Sequence, residues 1–311
     1  MTPGGQPTTN HGSADDRRQT GSAFLLRLGR DEPIAHAAGR VLSALTDEML
    51  RYLATAEEVG VDVAIHETRR RGKQARAFLR LVRSAIGDEF GELDRRYQAA
   101  GRLLATARDA RIVLEAFAEM FVEGDEAVRS ALIERANAEE ALLFTGADRA
   151  VDEVEHTLRE AAEQVSELRV GEDSSAIIEG ATASYAAGRE AGRVASLSRS
   201  PEDFHRWRKR AKDFRHQIAF VWDCEPLAPE DHDRLYELSD LLGVAHDLVV
   251  VREHLIEVST ASASDLLRAV DDRREVLEGE ALALGPQMYA RSPDDFRQRF
   301  STRWNEWHST K

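Results

Sequence analysis

The sequence predicts an all-α protein built from two related helical bundles, and three observations predict it. Apolar residues recur at spacings of three and four, as in Val41, Leu42, Leu45, Met49 and Leu53, which lines them up on one face of a helix. No proline stands between Pro33 and Pro201, so nothing of that kind interrupts helical hydrogen bonding over the span. A cationic segment beginning at His66 recurs at His205, an offset of 139 residues, and such self-similarity is the mark of an internal repeat.

Residues 1–22 hold Pro3, Pro7 and several Gly among Thr, Asn, Gln and Ser, without a periodic apolar position, and read as a disordered tail. Helical periodicity begins near Phe24. Breaks are expected at Gly60–Asp62, Gly87–Gly91, Glu123–Asp125, Thr145–Asp148, Arg169–Ser175, Ser198–Pro201 and Glu225–Pro229, where turn-forming residues gather. They leave about eight to ten helices and no sheet. The last helix carries Phe296, Phe300, Trp304 and Trp307 on one face and is expected to close a bundle.

The repeat is specific. His66-x-x-Arg69-Arg70-Arg71-x-Lys73-x-x-Arg76 aligns without a gap on His205-x-x-Arg208-Lys209-Arg210-x-Lys212-x-x-Arg215. Downstream, Leu103–Asp109 aligns with Leu241–Asp247 at an offset of 138, which sets Arg108-Asp109 against His246-Asp247. Upstream, Ala37-Ala38-Gly39-Arg40 matches Ala186-Ala187-Gly188-Arg189, a match short enough to arise by chance. The expected organisation is a first half over 23–170 and a second over 171–311, each a four-helix bundle, meeting about a pseudo-two-fold axis.

Charge is segregated in the same pattern. Against 56 Asp and Glu there are 42 Lys and Arg, a formal charge of −14 that by itself argues against a polyanionic partner. Yet residues 66–83 and 205–216 carry +6 and +5, which leaves −25 on the other 281 residues. At 100° per residue, Arg69, Arg70, Lys73, Arg76, Arg80 and Arg83 form one stripe with His66, and Ala75, Phe78, Leu79 and Val82 lie opposite. His205, Arg208, Lys209, Lys212 and Arg215 repeat those angles against Phe214 and Ile218. Arg71 and Arg210 fall at the boundary and are expected to pair with acids. Like charges at i, i+4 repel, so each stripe needs a neutralising partner. The chain's own carboxylates are one candidate; a chain of phosphates held in a trough between the two helices is the other.

The two signatures, His66-Glu67-Thr68-Arg69-Arg70-Arg71-Gly72-Lys73-Gln74-Ala75-Arg76 with Ala107-Arg108-Asp109, and His205-Arg206-Trp207-Arg208-Lys209-Arg210-Ala211-Lys212-Asp213-Phe214-Arg215 with Ala245-His246-Asp247, resemble the two halves of a CHAD domain, the conserved histidine α-helical domain. The resemblance spans about residues 24–308. It implies two pseudo-symmetric four-helix bundles around a basic central groove that binds inorganic polyphosphate. The motif positions then implied in binding are His66, Arg69, Arg70, Lys73, Arg76, His205, Arg208, Lys209, Lys212 and Arg215. Arg80 continues the stripe, Arg108 either contacts the ligand or pairs structurally with Asp109, and Arg189, with Tyr185 and Arg193, is a candidate to extend the groove. The sequence departs from the family pattern at His246 (usually Arg), Gln74 (often a cation) and His216 (often Tyr). His216 and His246 remain phosphate hydrogen-bonding candidates, and binding is expected to be weaker and more pH-dependent than in a fully basic member.

Catalysis finds no support in the residues: there is no phosphate-cradling Gly loop, nucleophile elbow or acidic set for Mg²⁺ among the basic motifs, so a non-enzymatic module is expected. A phosphate-metabolism enzyme or its regulatory partner, and a nucleic-acid-binding protein, are the rival readings; stacking aromatics are missing from the stripes, which disfavours the latter. No metal or cofactor is expected, because His66 and His205 lack a second His at i+4 and there is no Cys cluster. The single Cys224 excludes an internal disulfide, no apolar run approaches a membrane span, and the N-terminal residues hold no apolar leader segment. The expected location is the cytoplasm, with polyphosphate granules as a place of association.

Overall fold

The computed structural model describes residues 26–121, 126–145, 149–258 and 263–309. The expected tail at 1–22 and the expected break at Glu123–Asp125 lie outside them, as does part of the Thr145–Asp148 break. Every long regular element described is a helix: α1 (Ile34–Ala54), α2 (Val61–Leu81), α3 (Phe90–Leu103), α4 (Ala105–Met120), α5 (Glu126–Phe144), α6 (Ala150–Ser166), α7 (Ser175–Ser198), α8 (Pro201–Phe220), α9 (Pro229–Val258), α10 (Ala263–Met288) and α11 (Pro293–Ser309). Single helical turns occupy Ala56–Val59 and Arg83–Ile86. This is more segmentation than the sequence suggests, and one extra break falls at Leu104, where φ −90° and ψ 4° separate α3 from α4. The aligned stretch of the second half runs on uninterrupted as α9.

Local chemistry launches each basic helix. Gly60, at φ 99°, makes a turn that an L side chain resists, and α2 starts at the next residue. Before α8, Ser200 Oγ accepts from the Asp203 backbone N–H at 3.2 Å and donates to the Asp203 carboxylate at 3.0 Å, while Pro201 supplies a preset φ at the first helical position. The elements then follow in parallel order: α1 and α7 precede the basic helices, α2 and α8 carry the motifs, and α3–α4 and α9 carry Arg108-Asp109 and His246-Asp247.

The apolar faces of α2 and α8 meet in a shared interior. Phe78, Leu79, Phe214 and Ile218 are all at most 1% exposed. Phe78 meets Phe220 edge-on at 4.9 Å, and the buried Gln217 side chain donates to the Ala77 carbonyl at 3.1 Å, tying α8 to the backbone of α2. The interior does not divide at residue 170. One apolar cluster runs from Leu26 to Trp304, and a second joins Val113, Phe117, Val128 and Leu132 of α4 and α5 to Leu248, Val251, Leu255, Val270 and Leu277 of α9 and α10. The closing helix behaves as expected: Phe296, Phe300 and Trp304 are buried, and Phe296 stacks on Tyr185 at 4.5 Å. Tyr185 is therefore a core residue of α7.

Glycines mark the tightest contacts. A Cβ on Gly180 of α7 would lie 2.1 Å from the carbonyl oxygen of Leu81, the last residue of α2. On Gly188 it would lie 2.4 Å from the Tyr289 hydroxyl, whereas Gly39, its partner in the short Ala-Ala-Gly-Arg match, has nothing within 4 Å. The two glycines thus stand in different packing environments. Gly180→Ala should lower stability by about 2–3 kcal/mol because backbone cannot yield as a side chain does; Gly39→Ala should raise it by about 0.5–1 kcal/mol through helix propensity. Thermal melts followed by circular dichroism check both, and equal effects would deny the close approach of α7 to α2.

Candidate anion-binding groove

The stripes of α2 and α8 come together. Electrostatic coupling links Lys73 with Lys212 and Arg208, and Arg69 with Arg208, across the two helices. The residue types at offsets of 138 and 139 take equivalent places: Arg108 is the cation that acts most strongly on His66, and His246 sits against His205 with their Nδ1 atoms 3.1 Å apart. Arg69 feels Asp109, and Arg208 lies 3.7 Å from Asp247. Both guanidinium groups are held below their usual range, chiefly by burial, and stay charged at any physiological pH.

The chain's own acids neutralise part of the stripe. At its ends the chain's own acids do the work. Arg76 forks onto Asp94 at 2.8 and 3.0 Å, Arg80 reaches Asp94 at 3.2 Å and Asp213 at 3.4 Å, and Arg215 holds Asp240 at 2.5 Å while lying over the Tyr236 ring at 4.0 Å. Arg70 forks onto Glu67, and Arg108 reaches Glu115 at 3.3 Å. Arg71 pairs with Glu48 at 2.5 Å as its boundary angle requires, while Arg210 is exposed. At the centre the acids stop. Among the described residues none lies within ion-pair distance of Lys73 or Lys212.

The cost of this arrangement appears in the titration of the central groups. Lys73 is exposed, and its ammonium is pushed down to about 7, first by desolvation and then by Arg208, Arg69, Lys212 and Arg108. Lys212, whose Nζ packs beneath Gly243 of α9, is pushed down to about 8 by burial and Arg208. Lys209, exposed on α8, is lowered by desolvation and Arg208.

The histidines are quenched further. Burial, then Arg108, holds His66 at about 4; burial, then Lys209, holds His205 at about 4; burial, then Arg208, holds His246 at about 3. His216 falls well below its ordinary value through burial and then Arg215. All four are neutral near pH 7 in the free protein, and within the His205–His246 pair one ring must donate while the other accepts. In the free protein burial among permanent cations thus holds these histidines neutral near pH 7, and Lys73 and Lys212 are pushed down toward neutrality.

Arg189 stands away from this cluster. Its Nε donates to the Tyr289 carbonyl at 3.3 Å, in the packing of α7 against the end of α10. Sequence reasoning did not find Asp94, Asp240 or Tyr236, which trim the groove's ends; nothing in their local spacing ties them to the basic motifs. Among the described residues no group of three His, Cys, Asp or Glu side chains could hold a metal ion, and no helix is long and apolar enough to cross a membrane.

A helical module that brings the cationic residues of two basic helices, α2 and α8, together is thus the class that fold and site define. The family model of the CHAD domain matches residues 27–256, and the chain belongs to that family. Among solved structures it is similar to the crystal structure of the CHAD domain from the plant Ricinus communis, with 18% identity, a TM-score of 0.58, and 90% of this chain and 95% of that one covered. It is also similar to PptA from Streptomyces chartreusis, with 17% identity, a TM-score of 0.55, and coverage of 88% and 100%. At these identities the likeness is one of fold. No curated protein matches.

The depressed lysines have a consequence for stability. Both titrate near 10.4 when unfolded. Below about pH 7 folded and unfolded chains both hold the protons, and the fold bears the whole repulsion. Between about pH 7 and 10 the unfolded chain binds protons that the folded chain has shed, so stability rises with pH across that window. Lys73→Met and Lys212→Met should each raise the melting temperature at pH 6.5 by a few degrees, on the order of 1 kcal/mol after solvent screening, and flatten the rise. Calorimetry from pH 6 to 10 reads this; a variant that melts lower and keeps the wild-type pH slope would show that the lysines are not under repulsion.

Proposed function

We propose that this protein is a non-catalytic module that binds inorganic polyphosphate in the groove between α2 and α8. The observation that carries the reading is the pair of lysines from the two halves, Lys73 and Lys212, set among Arg69, Arg108 and Arg208 without an ion-paired acid of their own. A polyanion with one charge per short repeat would relieve a repulsion that the protein leaves uncompensated, and the CHAD resemblance names polyphosphate as that polyanion. Arg forks would grip phosphate oxygens two at a time and the lysines would serve as point charges. His66, His205 and His246, neutral at the groove wall, would hydrogen-bond phosphate as donors. Binding, not turnover, is the activity, and the cytoplasm, at polyphosphate granules, is the place where it would act.

The acids that close the groove's ends favour a thin chain over a bulky one. Asp94, Asp213 and Asp240 flank the cationic centre, so a ligand must reach the centre to find net positive charge. The outward surface, with its excess of Asp and Glu, repels a nucleic acid at a distance set by the Debye length, about 8 Å at physiological salt.

Three measurements on the purified protein test the reading. Polyphosphate affinity should fall steeply with salt, with a log–log slope of several units. It should tighten from pH 9 to about pH 6 because phosphate favours the charged lysines, and then level off until the histidines begin to protonate further below. The Lys73→Glu, Lys212→Glu double variant should lose binding while its helicity is kept. Wild-type affinity in that variant, or a nucleic acid that displaces polyphosphate at equal charge, would overturn the assignment.

A further inference from the structure

The repeat sets Arg76 of α2 opposite Arg215 of α8, and the structure neutralises both in the same way. Each is met by an acid from the helix that follows its motif. Arg76 forks onto Asp94 of α3, its Nε and Nη2 donating to the two carboxylate oxygens at 2.8 and 3.0 Å, and Arg80 donates to the first of those oxygens at 3.2 Å. Arg215 donates to Asp240 of α9 at 2.5 Å. The acids themselves are not aligned: at the 138-residue offset Asp94 stands opposite His232, and Asp240 opposite Arg102. The two halves thus reach one pairing through different residues. Both pairs are open to water, with Arg76 and Asp94 25% and 18% exposed and Arg215 and Asp240 16% and 41%. Lys73 and Lys212, aligned with each other on the same stripes, have no acid at ion-pair distance among the described residues.

A carboxylate and a phosphate offer an arginine the same paired oxygens, so the two compete for one fork. The acid is tethered beside its arginine, which gives it an effective concentration that a dilute ligand does not match. We propose that Asp94 and Asp240 are specificity-determining residues, which withhold Arg76 and Arg215 from a bound anion and confine recognition to the phosphates that the cations between them can hold. The proposal rests on the polyphosphate reading and adds a limit on chain length to it: beyond the segment that spans the central cations, further phosphates gain no contact. Changing either acid to the amide keeps its shape and one acceptor oxygen but removes the competing charge. The freed arginine can then take a phosphate farther along a long chain, whereas a short chain held at the centre does not reach it.

The test measures binding of long-chain polyphosphate and of tripolyphosphate by calorimetry over a series of salt concentrations. In Asp94→Asn the long chain should bind about ten-fold more tightly, the gain of one charge-assisted contact. Its log–log salt slope should steepen by about one unit, since Arg80 keeps Asp213 at 3.4 Å and only Arg76 is released. Asp240→Asn should act alike through Arg215, and being on another helix it reads the proposal independently if Asp94→Asn folds poorly. The tripolyphosphate slope should stay where it is in both. Asp88→Asn, at an exposed acid before α3, removes the same charge without touching the basic stripes and reports the long-range field alone. Gains no larger than that of Asp88→Asn, or equal for the two ligands, would overturn the proposal. So would a steeper slope that survives when Arg76→Gln is added to Asp94→Asn. A wild-type protein that binds neither ligand removes the function proposed above and the length limit with it; a wild type that binds, with both variants matching Asp88→Asn, removes the length limit alone.

Discussion

Everything particular to this protein depends on one tension: an apolar interface between α2 and α8 holds together two rows of like charge that repel. Phe78, Leu79, Phe214, Ile218 and Phe220 are each at most 3% exposed at or beside that interface, and burying such side chains stabilises by about 1.5–3 kcal/mol apiece. Two like charges 4 Å apart in surroundings of intermediate polarity cost about 4 kcal/mol, and less with separation. The core wins, but the repulsion is retained in the fold as the lowered affinity of Lys73 and Lys212 for protons. A ligand that neutralised the row would recover that free energy, which is the physical ground of the binding proposed above.

The fold was legible in the sequence to the extent that it is local. Spacing of Val41, Leu45, Met49 and Leu53 announced a buried face, and those residues are buried. The turn at Gly60 and the Ser200-Pro201 start were visible because their chemistry acts within a few residues. The break at Leu104 was not, since the same stretch in the second half continues as one helix. A tertiary contact accompanies the difference: the Arg69 guanidinium donates to the carbonyl of Gly101, in the last turn of α3. At the 138-residue offset that aligns this stretch, the residue opposite Gly101 is Ser239, buried within the uninterrupted α9. No periodicity argument could have weighed those partners.

The site was legible in its centre and hidden at its edges. Angles about the helix axis were enough to group Arg69, Lys73, Arg208 and Lys212, because helical geometry converts sequence spacing into direction. The same angles placed Arg76, Arg80 and Arg215 on the stripe, where the structure finds them joined to Asp94, Asp213 and Asp240. Asp94 lies on α3 and Asp240 on α9, so their part in the site exists only once the helices pack. Burial is likewise a tertiary property. Ten histidines in a sequence suggest a pH response near 6.5, but desolvation and permanent neighbouring charges move the four in question far from it.

The two aligned motifs also differ in a way that makes the basic strip uneven along its length. Where the first half sets Arg108 beside His66, the second sets His246 beside His205. Arg108 is charged at all relevant pH, while the two imidazoles share a hydrogen bond and are neutral until strongly acidic conditions. One end of the groove therefore offers a fixed cation and the other offers hydrogen bonds. Arg108 in one motif and His246 at the position aligned with it in the other thus make the two ends of the basic strip unlike. The two ends therefore differ in the hydrogen bonds they can offer an anion, since a charge-assisted contact is about twice as strong as a neutral one.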